Sequence, residues 1–388
     1  MKILLTIHHE LDPNLGAPGV TWRIGQEYKK LGHEVSYFSF DDLPKFLPSI
    51  VKSILFPEFV AYKVAALVNK NEIDILDAST GDAWLWAKLS QLFPKKKGAK
   101  VMPLIVARSH GLEHTVHFQL LEEVRLGNMK LSWKYPLYHG GFHLWEVANS
   151  LRLANLVLLL NDYDLDYSVN QLKVDRDRAH VVKNGILDTL LNLPAPEVLN
   201  DGIIRIAHIG SYIPRKGIHY SVPALNSLLN SFPQVEVSFL GTMTPREKVI
   251  ADFDPAVVDR IKVIPTYQNS ELPKLLTGHL IHLFPSLSEG FGLAVVEAMA
   301  CGLVPIVTAI PGPTEIVTHE FDALVIPPRD SSAIEEAVKK LISDREYMNK
   351  LRINAYNTAQ KYSWSSIAKT NLDLYKKSLA NYSLTSGE

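Results

Sequence analysis

Compact apolar runs closed by polar or glycine residues recur along this chain at intervals that leave room for a helix between them. The first is KILLTIH, Lys2 to His8, a pattern expected of a strand buried on both faces of a parallel sheet. NLGAPG (Asn14 to Gly19) reads as a glycine-containing loop. VTWRIGQEYKKLGHEVSYFSF then reads as a helix stopped near Gly32 and a second strand from Glu34. Strand, glycine loop, helix and strand make a βαβ opening, whose usual home is a doubly wound sheet. EIDILDAST, AKVMPLIVARSHG, NLVLLLND and AHVVKNGI continue the series. Ligand groups in such sheets gather at the carboxyl ends of the strands, which singles out Asp77, Ser79, Arg108, His110, Asn161 and Asn184.

The pattern breaks at NLPAPEVLNDG (Asn192 to Gly202), where Pro194 and Pro196 stand in a polar setting and mark an interdomain linker. It restarts with IIRIAHIGSY, a helical stretch from His219, VEVSFLGT, IKVIPTY, HLIHLFPS, a helix from about Phe291, and LVPIVTA. From Ser331 the tail is helical by pattern. The expected class is α/β, with two Rossmann-like doubly wound domains facing a cleft: residues 1–192, then 203–362, with 363–388 as a terminal helix.

Composition fits two domains. At 388 residues, 47% hydrophobic and 21% charged, the chain is longer than one core usually supports. The formal charge of −1 provides no general basic field for nucleic acid. Cys301 is the one cysteine, so no disulfide framework or cysteine-built zinc cluster is expected, in keeping with a reducing cytoplasm. MKILLTIHHELD turns polar too early for a signal peptide, and no run approaches ~18 uninterrupted apolar residues, so no membrane span is expected.

Two stretches carry candidate chemistry. HIGSYIPRKG (His208 to Gly217) joins a strand to a helix and holds Arg215 and Lys216. Its order, Lys then Gly, is not that of a Walker A loop, and no GxGxxG follows the first strand. Two cations before a helix N-terminus suit a diphosphate; the plain alternative is a solvated turn. SEGFGLAVVEAMACG (Ser288 to Gly302) carries Glu289 and, eight positions on, Glu297. On a continuous helix eight steps of ~100° leave them ~80° apart, so they would not share a face. Placing Glu289 in the loop and Glu297 more than a turn inside the helix is the better arrangement. Gly290 and Gly292 then let backbone approach a ligand, and Glu297, apolar on both sides, needs a partner such as a sugar or ribose diol. Helix capping by Ser286 or Ser288 and an ordinary surface glutamate are the competing explanation. His110 in ARSHGLEH stands just past a strand end, where a lone histidine is as readily structural, and Cys301 reads as a small core residue.

Together these residues resemble the retaining glycosyltransferases of family 4, which have the GT-B fold. The most specific part is PSLSEGFGLAVVEAMACGLVPIVTAIPGPTEIV (Pro285 to Val317), similar to that family's E-x7-E signature; LGAPG, KNGILD (Lys183 to Asp188), PRKG and the ending around Trp364 support it. The resemblance implies that Glu289 binds donor-sugar hydroxyls at the reaction centre and Glu297 the nucleotide ribose. It implies that Gly290, Phe291, Gly292 and Leu293 offer backbone amides to sugar and diphosphate, and that Lys216 neutralises the leaving diphosphate. Gly16 and Gly19 would approach the diphosphate from the other domain, His110 would line the reaction centre, and Tyr267, in Pro265 to Tyr267, would stand in the base-contacting loop. The terminal helix would cross back to the first domain. One departure is plain: the family commonly has arginine after the glycine of the phosphate loop, where Ser211 follows Gly210 here, and Arg215 is the candidate replacement.

The expected activity is therefore that of a retaining glycosyltransferase of hexosyltransferase type, with a nucleotide diphosphate sugar as donor and no metal or other cofactor. Rival readings are a catalytically inactive sugar-nucleotide-binding protein, a nucleotide-sugar epimerase and a phosphorylase. The acceptor, whether a glycan, a lipid-linked molecule or a small molecule, is not legible; the aromatic segment Gly127 to Arg152 is expected to shape its pocket. Leu43 to Lys70 mixes apolar residues with Lys45, Lys52, Lys63 and Lys70. It reads either as a peripheral contact with the inner face of an anionic membrane or as an ordinary amphipathic surface helix broken by Pro48 and Pro57, the second being preferred.

Overall fold

A computed structural model describes residues 1–92, 102–198 and 202–386, side chains being described up to residue 381. The opening of the fourth apolar run (99–101), part of the linker (199–201) and the last two residues of the terminal helix segment (387–388) lie outside the described residues.

The chain divides into two compact units. One comprises Met1–His117, Leu131–Asn184 and the chain from Trp364 on; the other comprises Phe118–Lys130 and Gly185–Ser363. Nothing in the sequence pattern sets Phe118–Lys130 apart. In the structure its Glu123 pairs with Arg329 at 2.7 Å and its Asn128 donates to the Tyr220 hydroxyl at 2.8 Å, which ties it to the second unit.

The first unit holds β1 (Lys2–Thr6), β2 (Glu34–Phe38), β3 (Ile75–Ser79), β4 (Leu104–Arg108), β5 (Leu156–Leu159) and β6 (Ala179–Val181), in the order β2-β1-β3-β4-β5-β6. All pairings are parallel. The pleat sends Ile3 and Leu5 into one core and Leu4 into the other, so both faces are covered and the runs read apolar throughout. The expected loop NLGAPG is in part helix: the first helix runs Gly16–Lys30. Pro18 does not stop it, because the N–H groups of a first turn have no intrahelical partner to lose. Ser49–Lys70 is likewise one helix with Pro57 inside it.

In the second unit β7 (Ile204–Ile209), β8 (Val235–Leu240), β9 (Ile261–Ile264), β10 (Ile281–Phe284), β11 (Val304–Thr308) and β12 (Leu324–Ile326) form a parallel sheet in the order β12-β11-β10-β7-β8-β9. Strand order reverses between β7 and β10, and ligands of such sheets bind outside the carboxyl ends of the strands at that point. β12, three residues long, has no counterpart among the runs read from the sequence.

Helix Trp364–Ser386 belongs to the first unit, where Trp364, Ala368, Leu372 and Tyr375 pack with Val20, Ile24 and Tyr28 of helix Gly16–Lys30. Among the described residues no helix is long and apolar enough to cross a membrane.

Candidate active site

The loops after β7 and β10 meet at the reversal point of the second sheet. Gly217 makes this approach feasible: its φ is +73°, and a Cβ there would stand 2.0 Å from the Pro285 carbonyl oxygen. Just before it, the Pro214–Lys216 turn presents both cations. Lys216 Nζ donates to Glu289 Oε1 at 2.5 Å and lies 5.1 Å from the Phe284 ring centre. Arg215 Nη1 donates to the Ser288 carbonyl at 3.0 Å and stands 3.7 Å from the same carboxylate oxygen. Burial alone would push the Glu289 carboxyl up, but Lys216 and Arg215 outweigh it and hold the group below its ordinary range. Burial pulls the Lys216 ammonium down, and Arg215 beside it adds to that, against the upward pull of Glu289. The site thus presents two cations gathered on one carboxylate. Ser211, half-exposed, sits in the loop that leads to them.

Helix Leu293–Ala300 starts from Gly292, whose φ of +98° turns the loop into the helix. The helix buries Val295, Val296, Ala298, Met299 and Ala300, and Glu297 on its fifth residue is only 7% exposed. Its neighbours differ from those of Glu289. Burial raises the Tyr267 phenol and the carboxylate of Glu297 raises it further; the Cys301 thiol is pushed to about 12 by burial and then by Glu297. Glu289 therefore belongs with the cations and Glu297 with Tyr267. Phe291 is buried against Tyr362, ring centres 5.8 Å apart, so it offers a ligand only backbone. Gly290 is buried in the same turn, and Leu293 is half-buried at the head of the helix, whose first N–H groups lack intrahelical acceptors.

His110, Gly16 and Gly19 lie in the first unit. His110 Nε2 is 3.2 Å from Ser79 Oγ and 3.4 Å from Thr21 Oγ1. Those hydroxyls already donate to the Thr6 and Ala17 carbonyls, so Nε2 must carry the proton and Nδ1 is the acceptor. Burial, with Arg108 and His8 nearby, lowers the His110 pKa to about 3, so the ring is neutral. A Cβ on Gly16 would meet open space, whereas one on Gly19 would stand 2.7 Å from the Pro13 carbonyl oxygen, so packing within the loop already requires glycine there.

Other strand-end residues singled out from the sequence serve the fold. Arg108 donates to Asp77 at 2.7 Å and to the Tyr375 hydroxyl at 2.9 Å, and Tyr375 in turn donates to Asp77, so this pair fastens helix Trp364–Ser386. Asn161 caps a helix by accepting from Asp164 N at 2.7 Å, and Asn184 is buried. In NDYDLD, Asp164 is buried and accepts from Leu112 N and Thr115 Oγ1, while Asp162 and Asp166 are exposed, so the three do not converge. Among the described residues no three histidine, cysteine or acidic side chains are grouped as a metal site.

A cavity of about 210 Å³ in the first unit was not read from the sequence as a site. His8, His9, Asp82, Tyr138, His139, His143 and Glu146 are among its lining, so part of the aromatic segment borders a pocket. The available signal was the histidine doublet just past the first strand.

Two Rossmann-like units, each built on a parallel six-stranded sheet, are the architecture of the GT-B fold. Residues 192–358 match the model of the family described as glycosyl transferases group 1. The MMP alpha-(1->4)-mannosyltransferase of Mycolicibacterium hassiacum is 25% identical over 98% of this chain and 99% of its own. An uncharacterized glycosyltransferase of Methanocaldococcus jannaschii is 27% identical over 52% of this chain, a match that spans about half of that relative (54%). The solved structure of Anabaena HepE in complex with UDP superposes with a TM-score of 0.70 at 18% identity, over 97% of this chain and all of that one. Residues 192–358 are thus similar to the group 1 glycosyl transferases, and the chain as a whole shares its fold with solved GT-B structures.

Proposed function

We propose that this protein transfers a hexosyl group from a nucleoside diphosphate sugar to an acceptor hydroxyl, with retention at the anomeric carbon and without a divalent metal. The observation that carries the proposal is the Lys216–Glu289–Arg215 cluster beside the helix headed by Leu293. The bond from the anomeric carbon to the diphosphate breaks, a bond to the acceptor oxygen forms, and a nucleoside diphosphate and a proton are released. Charge grows on the departing diphosphate, where Lys216, Arg215 and the amides from Gly290 to Leu293 stabilise it, in the role a metal plays elsewhere. Glu289, freed as Lys216 turns to phosphate, takes the donor-sugar hydroxyls; Glu297 holds the ribose and Tyr267 stands at the base. In the first unit His110, neutral and with Nδ1 as acceptor, is the candidate to meet a hydroxyl. The UDP in the HepE structure supports a nucleoside diphosphate as leaving group.

The test is to offer a panel of nucleoside diphosphate sugars and follow release of nucleoside diphosphate, with EDTA in one arm. Release that EDTA leaves unchanged is expected. Loss with EDTA and recovery with Mg²⁺ or Mn²⁺ would overturn the metal-free part.

A second feature supports a contact with an anionic membrane surface, where a lipid-linked acceptor would lie. Phe46, Tyr62, Trp133 and Leu137 are 83%, 79%, 77% and 67% exposed, and Ile50 and Ile54 are also exposed. In residues 43–70 and 131–145, Lys45, Lys52, Lys63, Lys70 and Lys134 stand against Glu58 alone, 5 − 1 = +4. Exposed aromatic and aliphatic side chains among lysines suit the headgroup boundary. The protein should sediment with vesicles containing phosphatidylglycerol and much less with phosphatidylcholine alone, and Phe46→Ser with Trp133→Ser should abolish the difference. Equal sedimentation of wild type and double variant would remove the membrane from the account.

A further inference from the structure

We propose that the 210 Å³ cavity of the first unit is a binding site for an uncharged polyhydroxylated ring, a pyranose or a cyclitol, gripped by His8 and His143 and closed to the same ring bearing phosphate. Calling that ring the acceptor rests on the transferase reading; the selectivity of the cavity does not.

Topology puts the cavity where a ligand belongs. The order β2-β1-β3-β4-β5-β6 reverses between β1 and β3. The loops that follow those two strands carry His8 and Asp82.

The two histidines are held in the same manner. His8 Nδ1 meets Asp82 Oδ1 at 2.7 Å, and the other oxygen of Asp82 accepts from Thr6 Oγ1 at 2.7 Å. His143 Nδ1 lies 3.4 Å from Glu146 Oε2, and the other oxygen of Glu146 accepts from the Trp84 indole at 3.1 Å. Each carboxylate therefore has both oxygens engaged, and each imidazole turns its second nitrogen, Nε2, to other use. The ring centres are 5.9 Å apart and nearly perpendicular, a spacing that two hydroxyls of one ring can bridge. Phe56 and Pro57 supply an apolar wall for the ring's C–H face. At ~30 Å³ per water, the space holds about seven waters, which one six-membered polyol would displace.

Charge decides the class of ligand. Among the described residues no lysine or arginine lines the cavity, whereas Asp82 and Glu146 do, and Glu113 and Glu58 also act on its side chains. A phosphate would meet carboxylates on several sides, and the imidazole most able to carry charge, His8, is already paired with Asp82 at 2.7 Å. Neutral hydroxyls both donate to and accept from imidazole at no such cost.

The experiment uses the full chain without donor. Binding of methyl α-glucoside, methyl α-mannoside and myo-inositol is measured by saturation-transfer NMR and calorimetry, each beside its monophosphate, while the histidine ring protons are followed. At least one neutral ring should bind and shift the His8 and His143 ring signals, with its monophosphate at least tenfold weaker. His143→Phe, and separately His8→Gln, which still donates to Asp82, should weaken that binding at least tenfold while UDP binding and the melting temperature stay as in wild type. A monophosphate that binds as tightly as its neutral parent would overturn the proposal. So would neutral-ring binding that both substitutions leave intact, or no binding by any of the three rings. A chain that binds a ring this way yet turns over no donor keeps the cavity and loses the transferase; turnover with no ring binding does the reverse.

Discussion

Glu289 and Glu297 lie on one short stretch but keep different company, and their substitutions should separate. Glu297 sits near Tyr267, and in the proposed role of ribose holder, away from the bond that breaks, it would contribute uniform binding. Glu297→Gln should raise the donor KM roughly 10- to 100-fold, the worth of a ~1.5–3 kcal/mol charged hydrogen bond, and leave kcat nearly intact. Glu289→Gln should instead lower kcat without raising the donor KM, because it also releases Lys216 and Arg215 from their carboxylate. Lys216→Ala should lower kcat/KM by about 10²-fold, as loss of a group aimed at developing charge does. Steady-state kinetics on folded variants read all three; a matching rise in KM for both glutamate variants, with kcat unchanged, would contradict this division. Arg215 stands 3.7 Å from the carboxylate that Lys216 also meets, and Arg215→Ala should lower kcat/KM if it replaces the arginine expected where Ser211 stands.

At the scale of elements, the terminal helix depends on a buried ionic network. Arg108 and Asp77 are 31 residues apart in sequence and Tyr375 is 298 from Asp77. Arg108→Met strands Asp77 in the core and should cost about 3–5 kcal/mol. Tyr375→Phe should cost about 1–3 kcal/mol by leaving partners unsatisfied. Denaturant unfolding measures both, and a loss below ~1 kcal/mol for Arg108→Met would show that solvent reaches the network. This network also shows where sequence reading stops. The strands were legible because each is a local apolar run, and the E-x7-E loop and helix because their glycines and acids are local too. Asp77 and Arg108 were read as ligand groups from their strand-end positions, since only the folded chain brings Tyr28 and Tyr375 to them. β12 escaped because three residues make no periodic signal. The His8–Asp82 pair, 74 residues apart, escaped for the same long-range reason as the network.

For the whole molecule, acid should weaken the second unit before it touches the chemistry. His208 and His282 stand buried on the central strands; burial and then Lys216 lower His208 to about 4, and burial, His208 and Lys216 lower His282 to about 3. The unfolded chain takes up these protons near 6.5 and the folded chain does not, so stability is complete above that pH and declines as pH falls below it. Each histidine should cost about 2 kcal/mol at pH 5, seen as a lower apparent melting temperature than at pH 7.5 that His282→Gln reduces. The central claim is that the Lys216–Glu289 cluster is a donor-cleaving centre and not merely a nucleotide holder. It is tested most directly by measuring donor binding and nucleoside diphosphate release together, across a panel of nucleoside diphosphate sugars, in wild type and Glu289→Gln. The account predicts binding by both proteins, release by wild type with at least one donor, and a drop of about 10²-fold in that release for Glu289→Gln. Tight binding by wild type with no release from any donor, or equal release by both proteins, would contradict it.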